Sequence, residues 1–362
     1  MSMPDQVVLK VGKQVADQVI EHFISYRIDA DLYTPADAFH LELANPETDI
    51  TGGMLCDLFV NGKRELTGLI DKVQRKVDKS GVSLKVEGRD LMGLLVDSYC
   101  EKYVTVAGKK LKDLAEMLLK DVPFINRKDI IYQQNVTGKL KKSKKARGGF
   151  LFSLDAPQKI AQIEPGMTIF EVLKTYSLSR GMLFYSLPDG TLVFGRPLAL
   201  GDASFNLQLL RSGAGNNVIE SERIDDISKR YSKVTVVGQQ QGQDSFGLDG
   251  AATINSPKGV AKDPEFPFYK PFVSKDNNDS LSPKEHARMI MEKHRREGRQ
   301  FLYKVGRHSQ DGANWSINKL CRVKDEIQGM DGVYLIYGRT FELNKKDGPT
   351  TKLKLGEPGL VA

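Results

Sequence analysis

Apolar and polar side chains alternate through most of the first hundred residues, and this period of two limits the fold more than any other feature of the chain. In HFISYRIDADLY, Ile24, Tyr26, Ile28, Ala30 and Leu32 fall on one side, and Ser25, Arg27, Asp29 and Asp31 on the other. Successive residues of a strand point to opposite faces. The pattern therefore describes a long strand with one face buried and one wetted or packed on a polar partner. LFVNGKREL sets Asn61-Gly62 between apolar flanks, a two-residue hairpin signal. RKVDKSGVSLKVEG turns at Lys79-Ser80-Gly81, and its second arm alternates Val82, Leu84 and Val86 with Ser83, Lys85 and Glu87. An antiparallel β-domain, a barrel or a sandwich, is expected over residues 1–100.

Helical spacing follows. In LKDLAEMLLKDV, Leu111, Leu114, Ala115 and Leu118 form an i, i+3, i+4, i+7 stripe. Pro165-Gly166 precede TIFEVLKTYSLSRG, where Thr168 and Glu171 make a capping box and Gly181 supplies the stop. MLFYSLPDGTLVFG then places two short strands around Pro188-Asp189-Gly190. Residues 101–197 are expected to form a small α+β domain inserted into β-structure. Strands return in YSKVTVVGQ, GVYLIYGRTFEL and TKLKLG, interrupted by SPKEHARMIMEKHRREG, with Ser282 as N-cap, Pro283 at N1, Glu285 at N3 and Gly298 just past the end. Gly242 to Asn278 is rich in Gly, Asp, Asn and Pro and reads as long loops. Residues 198–300 are thus a second β-domain with long loops and one helix, and 301–362 a C-terminal β-domain. No repeat of fixed period occurs.

At 362 residues the chain is too long for one core, and length favours two to four domains. No stretch approaches the roughly 18 apolar residues of a membrane span, and MSMPDQVVLKVGK lacks the layout of a signal peptide. Synthesis in the cytosol is expected, with no membrane anchor. Cys56, Cys100 and Cys321 lie far apart and form neither a disulfide framework nor a zinc spacing, so they read as small buried hydrophobes. Of His22, His40, His286, His294 and His308, only His286 and His294 share a helix. Their eight-residue separation spans about 12 Å along its axis, too far for one metal ion, and a solvated helix face is the expectation for both. Neither a nucleophile elbow, nor a P-loop, nor a dinucleotide fingerprint occurs; RSGAGNN reads as a flexible turn. No cofactor and no catalytic residue is indicated. The net charge is only +7, yet GKLKKSKKAR gathers Lys139, Lys141, Lys142, Lys144, Lys145 and Arg147 without an acid. That segment is a candidate anion contact, although it lacks the aromatic residues that stack single-stranded bases.

VEGRDLMGLLVDSYC reads as a joint of strand, turn and short helix. Gly88 allows a sharp change of direction, Asp90 caps the helix, and Leu91, Met92, Leu94, Leu95 and Val96 supply its apolar face. Arg89 and Asp97 are eight residues apart, so their pairing requires the chain to fold back.

These blocks together resemble the baseplate hub proteins of Mu-like contractile-tailed phages and prophages, the phage tail protein P or late-control D-like family. The first block matches through Gly88, Arg89, Asp90, Leu95, Val96, Asp97, Ser98 and Cys100. A second is the helix opened by Pro165-Gly166 with its Asp-Gly hairpin. A third runs from Asn217 through Arg230-Tyr231-Ser232 to Gly238-Gln239, and the last is the final β-region with Trp315, Asn318 and Gly332. The lysine-rich segment and residues 242–278 match no block.

The resemblance implies a virion structural protein rather than an enzyme: mixed β and α+β, with tail-tube-like antiparallel β-barrel domains and a small α+β domain. It implies a homotrimeric ring in the tail baseplate, made in the host bacterial cytoplasm. Its expected partners are the tail tube protein, the central spike protein and the tape-measure protein, with DNA only in transit. The alternative is the hub of a phage-derived injection particle carrying a cell-wall hydrolase activity or a nucleic-acid-binding activity built on Lys139 to Arg147.

Overall fold

The computed structural model describes residues 4–12, 18–44, 48–79, 81–101, 106, 108–133, 163–238, 258–276 and 282–361. The first strands are β1 (Val7–Val11), β2 (Gln18–Ile20), β3 (Ser25–Asp31), β4 (Ala38–Ala44), β5 (Leu55–Val60), β6 (Lys63–Asp78) and β7 (Gly81–Asp90). Helices α1 (Met92–Asp97) and α2 (Leu111–Leu118), strand β8 (Ile131–Tyr132), helix α3 (Ile169–Leu178) and strands β9 (Leu183–Ser186) and β10 (Leu192–Gly195) follow. Next come β11 (Phe205–Leu209), β12 (Val218–Asp225), β13 (Lys233–Gly238), β14 (Lys258–Lys262), β15 (Pro271–Asp276) and α4 (Pro283–Gly298). The chain ends in β16 (Arg299–Gly306), β17 (Ser309–Gln310), β18 (Ala313–Asn314), β19 (Lys319–Asp325), β20 (Met330–Asn344) and β21 (Gly348–Gly356).

Eight strands carry the architecture, in the order β12-β16-β21-β20-β3-β4-β7-β6, with every neighbouring pair antiparallel. They divide into two groups of four with one topology: in each, the first strand in sequence lies beside the second, then the fourth, then the third. In β3-β4-β7-β6 the third strand is β6, and in β12-β16-β21-β20 it is β20. Each third strand is long, and each changes partner halfway. The first part of β6 pairs with β5 up to Leu69↔Leu55, and the first part of β20 pairs with β19 up to Ile336↔Lys319. Each then has an irregularity in its ladder to the fourth strand, between Ile70 and Lys72 on β7 and between Ile336 and Gly338 on β21. The fold is therefore duplicated although the sequence carries no visible repeat.

The expectation of separate barrel domains needs correction. No closed barrel is formed among the described residues; the sheet runs open from β12 to β2. The reason is the second half of β20, which pairs with β3 from Gly338↔Asp31 to Leu343↔Tyr26 and fuses both groups into one sheet. Its apolar face buries a single core, in which Leu9, Ile28, Phe39, Leu58 and Leu84 from one half join Phe205, Tyr303, Phe341 and Leu355 from the other.

Two smaller units flank this sheet. α1, α2, α3 and β8–β10 enclose Leu95, Leu111, Leu114, Leu173, Phe184 and Phe194. The expected capping box is present, with Thr168 Oγ1 accepting from Glu171 N and Glu171 accepting from Thr168 N. In the other unit β13–β15 pack Val234 and Val236 against Ala287 and Met291 of α4. Here too the reading changes. β14 and β15 lie inside the stretch expected to be loops, because short strands flanked by Gly and Pro carry little periodicity and are fixed by pairing with β13. The RSGAGNN turn is held by side chains, since Asn216 Oδ1 accepts from Leu210 N and Asn217 Oδ1 from Gln208 N.

The hairpin at Asn61-Gly62 forms as expected, with both residues at positive φ (51° and 72°). It docks into the other half of the molecule. Asn314 Nδ2 donates to Val60 O (2.8 Å) and Glu65 Oε1 (2.7 Å), while Arg339 pairs with Glu65 and lies 3.9 Å over the Phe341 ring. Both charged side chains are buried. Removing one partner strands the other charge in the core, so Arg339→Ala is expected to cost about 3–5 kcal/mol. The double variant Arg339→Met/Glu65→Leu should cost less, and chemical denaturation of both variants checks the difference.

Candidate functional site

Among the described residues no group of three or more histidine, cysteine or acidic side chains is placed to hold a metal ion. The surface with the most organised chemistry is the second face of the eight-stranded sheet. Alternation sends Arg27, Asp29 and Asp31 of β3 there, with His40 and Glu42 of β4 and Lys85 and Glu87 of β7. Register brings Lys72, Gln74 and Lys76 of β6 to one flank, and Thr340 and Glu342 of β20, Lys352 and Lys354 of β21, Lys304 of β16, and Glu220 and Glu222 of β12 to the other. Opposite charges meet across strands: Lys352 with Glu342 at 2.9 Å, Lys354 with Asp31 at 2.9 Å, Lys72 with Glu87 at 3.5 Å and Lys85 with Glu42 at 3.8 Å. Thr340 Oγ1 donates to Asp29 and Ser25 Oγ to Glu42. The hydrogen bond from Arg27 to Asp29 holds that guanidinium above its ordinary value, opposed by partial burial. The face is ionic, with its charges interleaved. Sequence alternation identified the polar side of β3, but the cross-strand pairs depend on register, which alternation does not give.

At the end of this face the VEGRD block makes its joint, by a route that differs from the expected one. β7 does not turn at Gly88 but runs straight to Asp90. A side chain at 88 would meet Leu69 O at 2.3 Å and the Phe39 ring at 2.5 Å, so glycine is required by close approach. Arg89 does fold back on Asp97 (2.5 Å) and also grips Asp71 (2.6 Å), tying α1 to β6. Those hydrogen bonds raise the Arg89 pKa and lower that of Asp97. The N-cap position of α1 belongs to Leu91, while Asp90 Oδ1 accepts from Met92 N one residue earlier than a standard cap.

Asp90 is buried and accepts from Ser186 Oγ. Asp90 N donates to Asp37 O, and both residues line a cavity of about 10 Å³. Burial pushes the Asp90 carboxyl up to about 7, and burial plus repulsion from Asp90 raises Asp37.

The other signature residues are also joints. Pro165 and Gly166 (φ 90°) form a turn closed by Met167 N on Glu164 O, and Met167 O then accepts from Cys100 N, so two blocks distant in sequence meet. Arg230 is buried against Asp263 (2.7 Å). Tyr231 lies edge-on to His294 at 4.7 Å and tilted on Phe272 at 5.0 Å. His294 is consequently half-buried, which lowers its pKa, and not on the solvated face expected of it. Trp315 is buried and stacked on Phe205 at 4.7 Å. Cys56, Cys100 and Cys321 are free and buried. The residues missed from sequence are Asp263, Glu65 and Arg339, whose partners lie 33 and 274 positions away. Lys139, Lys141, Lys142, Lys144, Lys145 and Arg147 lie outside the described residues.

Residues 6–90 match the model of the Mu phage baseplate assembly protein GpP-like N-terminal domain, and residues 293–360 that of a tail protein C-terminal domain. Baseplate hub protein gp44 of Escherichia phage Mu is 26% identical over 320 residues, covering 86% of this chain and 77% of gp44. The crystal structure of a tail protein from Neisseria meningitidis MC58 superposes with a TM-score of 0.81 at 27% identity, covering 99% and 98% of the two chains. The 43 kDa tail protein of prophage MuSo2 from Shewanella oneidensis gives 0.76 at 23% identity, covering 98% of each.

Two outcomes test the joint. Gly88→Ala is expected to cost about 3 kcal/mol by overpacking against the Leu69 carbonyl and the Phe39 ring, read as a lower midpoint in urea melts. The folded pKa of Asp90 lies above its ordinary 3.8, so its neutral form contributes fully below that value and the contribution is lost as pH rises through about 7. Asp90→Asn should therefore gain melting temperature over the parent protein progressively from pH 4 to pH 8.

Proposed function

We propose that the chain is a structural baseplate or tail protein of the Mu-like kind, as its similarity to such proteins supports, and that three copies close into a ring that forms the hub of a contractile-tail baseplate. The observation that carries this reading is the duplicated eight-stranded sheet with an ionic face on one side and the main core on the other. A sheet of this kind must keep its charged face wet, and a ring makes that face the wall of a water-filled channel. Two groups of four strands per chain give three copies six such groups, a pseudo-sixfold wall suited to continuing a tail tube. Channel charges that neutralise one another neither hold nor repel a passing polyanion, since net phosphate binding requires an excess of cations.

In this reading the ring binds the tail tube protein above and the central spike protein below, with the tape-measure protein passing through the same axis before DNA. The hub is made in the host cytoplasm and resides in the virion baseplate. The signature residues Gly88, Arg89, Asp90, Asp97, Pro165, Gly166, Arg230, Tyr231 and Trp315 act as joints. They fix the α+β unit (101–197) and the β-unit carrying α4 (within 198–300) to the channel wall completed by 1–100 and 301–362. Light scattering over a hundredfold concentration range is the test. The expected mass is three times the 40.3 kDa of one chain, and a protein that stays monomeric throughout contradicts the ring.

A further inference from the structure

A cleft of about 210 Å³ opens where the large sheet, the α+β unit and α4 meet. Its walls are apolar. Tyr33 follows β3, Val361 follows β21, and Phe170 and Phe184 stack with their ring centroids 5.9 Å apart. Three cations line the same space, Lys174 of α3 and Lys293 and Arg296 of α4, against a single carboxylate, Glu297. We propose that this cleft binds an amphipathic anion, a carboxylate carried on a short apolar body, and that the bound anion ties the three units together. The site is independent of the ring.

Two observations carry the site, and the first is its excess of positive charge. Lys293 and Arg296 stand one turn apart and share a face of α4, where like charges repel. Lys174 lines the same cleft from α3. Burial lowers the Lys174 pKa, and Lys293 and Arg296 lower it further, with Glu171 opposing them. The nearby acids are committed elsewhere. Glu171 accepts from Thr168 N in the capping box, Glu292 accepts from Arg288 Nε at 2.6 Å, and Glu297 is shared between Lys293 and His294, each at 3.9 Å. Lys174 makes no ion pair among the described residues. Cations gathered in a partly buried space destabilise one another, and an anion placed among them removes that cost.

The second is that the cations sit against aromatic walls. Arg296 Cζ lies 3.7 Å from the Tyr33 ring centroid, and Lys174 Nζ lies 5.4 Å from that of Phe170. Stacking holds a guanidinium in a fixed plane, and its fork matches a carboxylate with two parallel hydrogen bonds. A few charged groups over an apolar lining is the common form of a small-molecule site. The volume here falls below the roughly 300–1,000 Å³ of drug-sized pockets, which limits the apolar body to one or two rings or a short chain. Inorganic phosphate would answer the charge but leave Phe170, Phe184 and Val361 without contact, and a neutral hydrocarbon would do the reverse. A free acid and the end of a peptide chain present the same carboxylate. Either one touches all three units at once, so occupancy stabilises their seam by mass action.

Isothermal titration calorimetry on the full chain tests the site with four probes: naphthoate, acetylphenylalanine, uncharged naphthalenemethanol and inorganic phosphate. The two carboxylates should bind, and the other two probes should bind far more weakly. Lys174→Met keeps the apolar stem and removes the charge. It should weaken carboxylate binding about tenfold or more, as expected for losing a hydrogen bond to a charged group, whereas Lys174→Arg should retain it. Lys174→Met should also raise the melting temperature of the ligand-free protein, because it removes a repelled charge, and abolish most of the further rise that naphthoate gives the parent protein. Tighter binding of acetylphenylalanine than of naphthoate assigns the site to a chain end, and the reverse assigns it to a free acid. No carboxylate binding at millimolar concentration overturns the site. Binding that naphthalenemethanol matches, or that Lys174→Met leaves unchanged, overturns it equally.

Discussion

The antiparallel ladder between β20 and β3 is the contact on which the rest of the structure depends. It joins residues some three hundred positions apart, from Gly338↔Asp31 to Leu343↔Tyr26, and converts two four-stranded units into one sheet with one core. Everything else is arranged to hold that ladder in register. The Asn61-Gly62 hairpin reaches across to Asn314, Glu65 neutralises the buried Arg339 on β20, and Tyr26 of β3 meets His308 at 2.6 Å. The histidine's roles can be assigned from its neighbours. Thr351 Oγ1 donates to Arg307 O, so it accepts from His308 Nδ1, and Nε2 is left to accept from the Tyr26 hydroxyl. Burial lowers the His308 pKa to about 4, consistent with the neutral form this network requires. A one-residue slip of β20 against β3 would put Phe341 in water and Glu342 in the core.

What was legible in the sequence was local. The alternation of β3 and β7, the Asn-Gly turn, the Thr168–Glu171 box and the Ser282-Pro283 start of α4 are each decided within a few residues, and each is found where its pattern placed it. The failures share a cause. Gly88 looked like a turn residue because glycine permits turns, whereas its actual constraints are the Leu69 carbonyl of β6 and the Phe39 ring of β4. β14 and β15 have no pattern of their own and exist through β13. His294 sits on a helix face whose sequence looks solvated, yet Tyr231 and Phe272, from the strand layer of the same unit, approach it.

The duplication is the extreme case. β6 and β20 share partner switching and ladder irregularity, yet one reads KRELTGLIDKVQRKVD and the other MDGVYLIYGRTFELN. Their second halves face different neighbours. β20 has β3 of the same chain and buries Phe341 fully, whereas β6 carries Arg75 at the matching position and leaves it exposed. A repeat of backbone geometry therefore survives while the side chains diverge, because hydrogen-bond pairing constrains φ and ψ but leaves exposed positions free. Sequence comparison within the chain cannot see this.

The same reasoning bears on where chemistry should be sought in such a molecule. The strongly perturbed acids, Asp37 and Asp90, meet at the seam between sheet and α+β unit, around a space of about 10 Å³ that admits no substrate. Perturbed groups often mark active sites, but here desolvation follows from packing a capped helix against a sheet, and Asp90 already accepts from Ser186 Oγ and Met92 N. His308 and Asp90 also oppose each other in their pH dependence. The histidine network loses stability as pH falls toward 4, and the Asp90 seam loses it as pH rises through about 7. His308 is held neutral by its surroundings near neutrality, whereas Asp90 titrates through about 7 in a seam that leaves no room for a substrate. Most of the chemistry of this chain is spread along strands as paired charges.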